Sequence, residues 1–248
     1  RDVERSRGLG DVYKRQVFYD HLHRKIYDFD VIGADETPVE VNKDGRPAGS
    51  KSYIWVYRSG GISSTHHIVL YEYQKTRNAS HPVRFLKDYE GICVTDGYQV
   101  YHSAEKTLVD ALFAYAKQHQ VPVGTQGKLA RAVTYLLNQE KYLRVFLENG
   151  EVPMDNNASE RAIRGFCIGK KNWEMIDTVN GANSSAIIYS IAETAKANNL
   201  KTFDYFEYLL TEIPKHVDDK NTDFLAELLP WSDMLPENIR KPQKASGK

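Results

Sequence analysis

The order of two residue patterns along the chain limits its fold more than any other feature. Four short segments in the first half are rich in β-branched and aromatic residues, which is typical of β-strands. The four are Val31–Ala34, Tyr53–Tyr57, His67–Tyr73 and Ile92–Thr95. The turn-forming stretches Asn42–Ser50 and Ser59–Gly61 separate the first three, so these predict an antiparallel meander. Ser80–Tyr89 predicts a short helix before the fourth strand.

The second half of the chain has apolar residues at helical spacing. They recur three and four positions apart in residues 108–120, 129–147, 185–197 and 203–210, which predicts core-facing helices. Strands followed by helices predict an α/β fold with a mixed sheet and a helical C-terminal half. The order of β-meander, helix and strand is also that of a ribonuclease-H-like sheet.

Composition excludes several functional classes. The 248 residues are 41% hydrophobic, which is enough for one large domain with a packed core. The formal net charge is zero, so any contact with nucleic acid must come from a local basic patch. Two cysteines without a Cys-x-x-Cys motif indicate neither a disulfide framework nor a zinc ribbon. No stretch is apolar enough to span a bilayer, and we expect a cytoplasmic, nucleoid-associated protein.

Three carboxylates occupy positions that suit a metal site. Asp35 and Asp96 each follow an apolar strand directly, and Glu160 lies at the start of a later helix. Two strand ends can lie close together in a mixed sheet, where a divalent cation relieves the repulsion between the carboxylates. Mg²⁺ or Mn²⁺ suits such oxygen ligands, and two ions about 3.5–4 Å apart serve phosphodiester chemistry. The alternative stays open here, because Asp96-Gly97 is a common turn and Asp35 can be a solvated strand end.

The segment Asp155–Arg164 predicts a helix capped by Asp155 or Asn156. Residues three or four apart lie on the same face of a helix, so one face after the cap carries polar and charged side chains. We infer DNA contacts from charge and proximity at Asn157, Arg161, Arg164, Lys170 and Lys171. The simpler interpretation is a solvated helix with a Glu160–Arg164 ion pair, which contributes only a few tenths of a kcal/mol.

Longer blocks around these residues resemble the transposases of the insertion-sequence 66 family. The blocks are Ala34–Pro38, Val94–Tyr101, Asp155–Arg164, Gly169–Trp173, Ile187–Ala197 and Leu228–Trp231. The resemblance implies an Asp-Asp-Glu catalytic domain with a ribonuclease-H-like fold, in which Asp35, Asp96 and Glu160 bind the catalytic metal ions. It also implies cleavage at insertion-sequence ends, strand transfer into target DNA, and a homo-oligomer that pairs two ends.

The sequence departs from the family pattern in two places. The family carries an N-terminal zinc-binding and DNA-binding region, which we do not find here, and a helical insert between the second Asp and the Glu. Here that insert, at residues 105–150, is short, and we expect a helix joined across a deletion near Thr107–Val109. A catalytically inactive remnant that binds DNA or itself is therefore an alternative, and a structure-selective nuclease is a third.

The first residues of the chain resemble a sequence of technical origin. Residues 6–16 match an in-frame translation of a transposon-end adapter used to prepare DNA sequencing libraries. We therefore expect residues 1–16 to be non-native. The expected organisation is then a catalytic core at residues 17–212 and a short C-terminal transposase region at residues 213–248.

Overall fold

A computed structural model describes residues 15–47, 49–95, 106–119, 127–153, 155–216, 218–219 and 221–242. The strands are β1 (Val31–Lys43), β2 (Lys51–Gly60), β3 (Val69–Gln74), β4 (Ile92–Thr95) and β5 (Ile176–Thr178). The helices are α1 (residues 15–25), α2 (Ser80–Phe85), α3 (Lys106–Gln118), α4 (Lys128–Asn138), α5 (Glu140–Leu143), α6 (Val145–Glu148), α7 (Asn157–Trp173), α8 (Val179–Ala197) and α9 (Thr202–Glu212). Helix α1 includes the last two residues of the expected non-native segment, and residues 1–14 lie outside the description.

The strands form a mixed sheet in the order β3-β2-β1-β4. Strands β1, β2 and β3 are antiparallel, β4 is parallel to the start of β1, and β5 is parallel to its end. The predicted meander, mixed sheet and α/β class are confirmed. The prediction that Asp35 ends its strand is wrong, since β1 runs on to Lys43. The cause is the long β1–β2 ladder, which pairs residues from Val31 to Glu40 without interruption.

The two faces of the sheet bury two separate hydrophobic clusters. Side chains alternate between the faces of a strand, so neighbours along β1 belong to different clusters. Ile32 and Ala34 join the cluster covered by α1 and α9, whereas Val39 and Val41 join the cluster covered by α7 and α8. Asp35 pairs with Val56, a member of the second cluster, and therefore lies on the face that α7 covers.

The C-terminal residues complete the first cluster. Leu225, Leu228 and Leu235 lie in short turns after α9 and are buried against the same side chains as α1. The Tyr205 hydroxyl of α9 donates a hydrogen bond to the Leu228 carbonyl at 2.6 Å, which fixes the first of these turns. The described part of residues 213–248 thus packs on the core of residues 17–212.

One predicted helix is broken into three. The apolar stripe of residues 129–147 predicts a single long helix, whereas α4 ends before Gln139 and α5 before Arg144. Arg144 lies at the second break and pairs with Glu140 and Asp110, at 2.9 and 2.6 Å, which ties α5 back to α3. Within the described residues, no helix combines the length and the apolar character needed to cross a membrane.

Candidate functional site

Helix α7 is fixed to β1 at its first residues. The Asp155 carboxylate, one residue before the cap position, accepts a hydrogen bond from the Asn157 backbone N–H at 3.0 Å. Asn156 stands at the cap position but uses its side chain differently. Its amide donates to the Ala34 carbonyl at 2.9 Å, and only 9% of the residue is exposed. The start of α7 is therefore tied to β1 one residue before Asp35.

Gly33 allows this close approach. A Cβ atom at position 33 would lie 2.3 Å from the Ser159 hydroxyl oxygen and 2.9 Å from the Asn156 amide oxygen. Ser159 is 1% exposed, so its hydroxyl has little free space to move into. The first turn of α7 thus occupies the volume that any larger side chain at position 33 would fill.

The rest of α7 follows β1 in the same direction. The Cys167 thiol donates a hydrogen bond to the Thr37 hydroxyl at 3.4 Å, and the Lys170 ammonium donates to the Pro38 carbonyl at 2.5 Å. Asp35 lies between Gly33 and Thr37 and projects from the same face of β1 as both, because side chains alternate. Its carboxylate accepts the Glu36 backbone N–H at 2.7 Å.

Glu160 lies on the flank of α7 that makes two of these contacts. Successive residues of an α-helix are about 100° apart, which brings Glu160 within about 20° of Cys167 and 40° of Asn156. Those two residues contact β1 on either side of Asp35. Helical geometry thus puts Glu160 on the flank of α7 that carries the Asn156 and Cys167 contacts to β1.

Glu160 also forms the ion pair of the simpler interpretation. Its carboxylate lies 4.0 Å from the Arg164 guanidinium, and the two side chains are 33% and 72% exposed. An exposed pair at this distance contributes a few tenths of a kcal/mol. The ion pair is therefore too weak to explain the position of Glu160 by itself.

The third predicted carboxylate, Asp96, lies outside the described residues. The parallel ladder between β1 and β4 ends with Thr95 opposite Ala34. Asp96 follows Thr95 directly in the sequence. Within the part of the chain that the structure describes, no three His, Cys, Asp or Glu side chains form a group that could hold a metal ion.

The predicted DNA contacts differ in how free their side chains are. Arg161, Arg164 and Lys171 are exposed. The Lys170 ammonium is engaged with the Pro38 carbonyl, and the Asn157 amide donates to the Asp155 carboxylate at 2.5 Å. The last two therefore hold α7 in place in this structure.

Sequence reasoning missed one basic residue next to this helix. Arg58 pairs with Gly33 across the β1–β2 ladder and so projects from the face that α7 covers. It is half-buried, and burial together with the neighbouring Arg161 guanidinium lowers the pKa of Arg58. A single arginine in a strand carries no motif, and only the register of the ladder places it beside α7.

Comparison with known families identifies the family of this chain. The profile described as "Transposase IS66 family" matches residues 13–107 and 102–184, which together are more than half of the chain. The chain belongs to the IS66 transposase family. A second profile, "IS66 C-terminal element", matches residues 190–231 of this IS66 chain and covers the end of α8, α9 and the turns with Leu225 and Leu228. The predicted family is thus confirmed.

Curated relatives of this IS66 protein are uncharacterized proteins of Sinorhizobium fredii. Protein y4hP is 25% identical over 57% of this chain and 25% of its own length. Protein y4qI is 21% identical over 89% of this chain and 54% of its own length, and y4jD is 30% identical over 44% and 21%. The chain thus spans about half or less of these relatives. No solved structure matches it.

Proposed function

We propose that this chain is an Asp-Asp-Glu transposase core that cuts DNA at insertion-sequence ends and joins the freed 3′ end to target DNA. The observation that carries the proposal is the α7–β1 junction, where Asn156 and Ser159 hold the start of α7 against Gly33 and Ala34. This junction supports a shared site for Glu160 on α7 and Asp35 on β1. Asp96 follows the strand paired with β1 and is the third member of the set.

The sheet topology supports a ribonuclease-H-like fold for this core. Its strand order, β3-β2-β1-β4, combines an antiparallel meander with a parallel fourth strand, which is the expected arrangement. In such a sheet the central strand carries one acidic residue and the neighbouring parallel strand delivers another at its end. The register between Ala34 and Thr95 fits that arrangement.

The donor set fits divalent metal ions with a preference for oxygen. Asp35 and Glu160 supply hard carboxylate oxygens, with Asp96 as the further ligand, and Mg²⁺ or Mn²⁺, as one or two ions, matches them. A bound ion would supply Lewis-acid stabilisation of charge on the phosphate oxygens. The protein itself contributes position, because the Asn156 and Cys167 contacts fix both ends of the helical segment that carries Glu160.

DNA is the proposed partner, held by the exposed basic residues of α7. Arg161, Arg164 and Lys171 are available for phosphate contacts, which position a duplex without reading its sequence. Pairing of two element ends would require more than one copy of the chain, and we propose a homo-oligomer for the active form.

The test is metal-dependent nicking and joining of supercoiled plasmid carrying the element ends. We expect Asp35→Asn and Glu160→Gln to abolish both products while the melting temperature stays near that of the wild type. Glu40→Gln is the matched control, because Glu40 is an exposed carboxylate on the same strand. Nicking that persists in both variants, or that falls equally in the control, would contradict the assignment.

A shortened, inactive transposase is the second candidate. Two comparisons favour it: the two profile segments meet at residues 102–107, near the expected deletion, and the alignment with y4qI extends over 295 positions, more than this chain contains. That relative therefore has positions with no counterpart here. Wild-type protein that binds metal and DNA but yields neither product in the plasmid assay would support this second candidate.

A further inference from the structure

Two arginines lie together beside the candidate site without a carboxylate partner. Arg58 is half-buried on β2 and Arg161 is exposed on the first turns of α7. Helix α7 packs on β2 as well as on β1, and Arg58 projects from the face of the sheet that α7 covers. The Arg161 guanidinium on this helix is near enough to Arg58 to help lower its pKa.

No described carboxylate neutralises either arginine. Neither residue forms an ion pair within the described ranges, and the hydrogen bond that the Arg58 guanidinium donates, at 3.3 Å, goes to the Ser59 carbonyl. The nearby His67 imidazole adds little further positive charge, since burial and the Arg58 guanidinium lower its pKa and favour the neutral ring. Two positive groups thus lie near each other, and no described carboxylate forms an ion pair with either.

This arrangement costs free energy in the absence of an anion. Burial of a charge is unfavourable unless the charge is paired, and like charges at short range repel. An arginine guanidinium offers a planar set of N–H donors that matches phosphate oxygens, and two of them can surround a single phosphate. An anion held between the two would relieve both the desolvation and the repulsion.

We infer that Arg58 and Arg161 together bind one backbone phosphate of the DNA, next to the carboxylates Asp35 and Glu160. The inference rests on the proposed function for the identity of the ligand, and it adds Arg58, which projects from β2, to the DNA contacts expected on α7. Because Arg58 lies across the ladder from Gly33 and Glu160 precedes Arg161, the bound phosphate lies close to the phosphodiester that the carboxylates address. The pair would therefore fix the strand next to the point of cleavage.

The experiment measures binding of a fluorescein-labelled DNA duplex in EDTA, so that neither metal nor turnover contributes. We expect Arg58→Met and Arg161→Met each to weaken binding about 10-fold at about 100 mM salt. The double variant should lower the slope of log affinity against log salt by about 0.9, the value for one phosphate. Lys51→Met is the control, because Lys51 is an exposed cation at the other end of β2.

Two results would overturn the inference. One is binding by Arg58→Met that equals binding by the Lys51→Met control, and the other is a slope change near 1.8 in the double variant, which indicates two separate phosphates. If Arg58→Met fails to fold, Arg58→Lys replaces it. Weaker DNA binding with an unchanged slope of log affinity against log salt would then support phosphate binding by Arg58 and Arg161. Unchanged affinity in Arg58→Lys would count against bidentate binding by Arg58.

A second measurement does not depend on DNA or on catalysis. Inorganic phosphate should raise the melting temperature of the wild type more than chloride does at equal ionic strength, and this difference should vanish in Arg58→Met. Absence of plasmid nicking by the wild type would refute the catalytic proposal without changing the phosphate effect on the melting temperature. Equal phosphate effects in the wild type and Arg58→Met would refute the phosphate site whatever the nicking assay shows.

Discussion

Replacement of Gly33 by alanine tests how closely α7 packs on β1. The added methyl carbon would stand 2.3 Å from the Ser159 hydroxyl oxygen and 2.9 Å from the Asn156 amide oxygen, whereas ordinary contacts begin near 3.4 Å. The hydroxyl must therefore move by about 1 Å in a buried site, or the helix must shift. Overpacking of this kind costs about 1–3 kcal/mol of unfolding free energy, which urea denaturation measures directly.

The same distances predict a rescue. Ser159→Ala removes the hydroxyl at 2.3 Å and leaves the Ser159 Cβ at 3.6 Å, an ordinary contact. We therefore expect the double variant Gly33→Ala/Ser159→Ala to recover part of the stability lost in Gly33→Ala, since the Asn156 amide oxygen at 2.9 Å remains. Gly60→Ala on β2 is the matched control, because its added methyl would meet only Val31 atoms at 3.8 Å.

Two outcomes would refute this account of the junction. If Gly33→Ala is as stable as Gly60→Ala, the close approach of α7 does not exist. If the effects of Gly33→Ala and Ser159→Ala simply add, the clash does not involve the Ser159 hydroxyl. A plasmid-nicking defect in Gly33→Ala that the second substitution repairs would further link the junction to the position of Glu160.

Three further predictions concern stability and its dependence on pH. Burial raises the pKa of Glu72, so the folded state loses stability as pH rises above the unfolded pKa of about 4.3. Glu72→Gln should therefore raise the melting temperature more at pH 7 than at pH 4. Equal increases at the two pH values would contradict this. Hydrogen bonds from the Arg46 side chain lower the pKa of Asp44 to about 2, so its stabilisation is present above about pH 4 and is lost as pH falls towards 2. In Asp44→Asn the melting temperature should depend less on pH between about 4 and 2. If the loss of stability in acid stays the same as in the wild type, Asp44 is not its source. The Ser190 hydroxyl accepts a hydrogen bond of 2.7 Å from the Tyr71 backbone N–H at the outer edge of β3. Ser190→Ala should therefore lower the free energy of unfolding by about 1–3 kcal/mol in urea denaturation. Ser80→Ala is the control, because Ser80 is exposed and its replacement should be nearly neutral.

Sequence patterns predicted the elements better than their extents. Aromatic and β-branched residues located the meander, and the apolar helical stripes located α3, α8 and α9, because these patterns record which side chains face the core. The length of β1 was missed because Glu36 and Pro38 are poor strand formers, and the ladder with β2 overrides that local preference. Strand β5 has only three residues, too few for a pattern to be recognised.

The candidate site shows the same division. The resemblance predicts Asp35 and Glu160 as site residues, but it could not show that Asn156 uses its amide to hold Ala34 instead of capping the helix. That contact is possible because Gly33 has no side chain, and it joins two parts of the chain that are far apart in sequence. Arg58 was missed for the same reason, since only the cross-strand register places it opposite Gly33 on the face that α7 covers.

The most direct test of the central claim is to measure Mn²⁺ binding by electron paramagnetic resonance. This measurement asks whether Asp35 and Glu160 contribute to one metal site. We predict that the wild type and Glu40→Gln remove free Mn²⁺ from solution with the same affinity, and that Asp35→Asn and Glu160→Gln each weaken that binding at least about 10-fold. Wild-type affinity in Glu160→Gln would contradict the account, because it would mean that α7 does not deliver Glu160 to the metal site of Asp35.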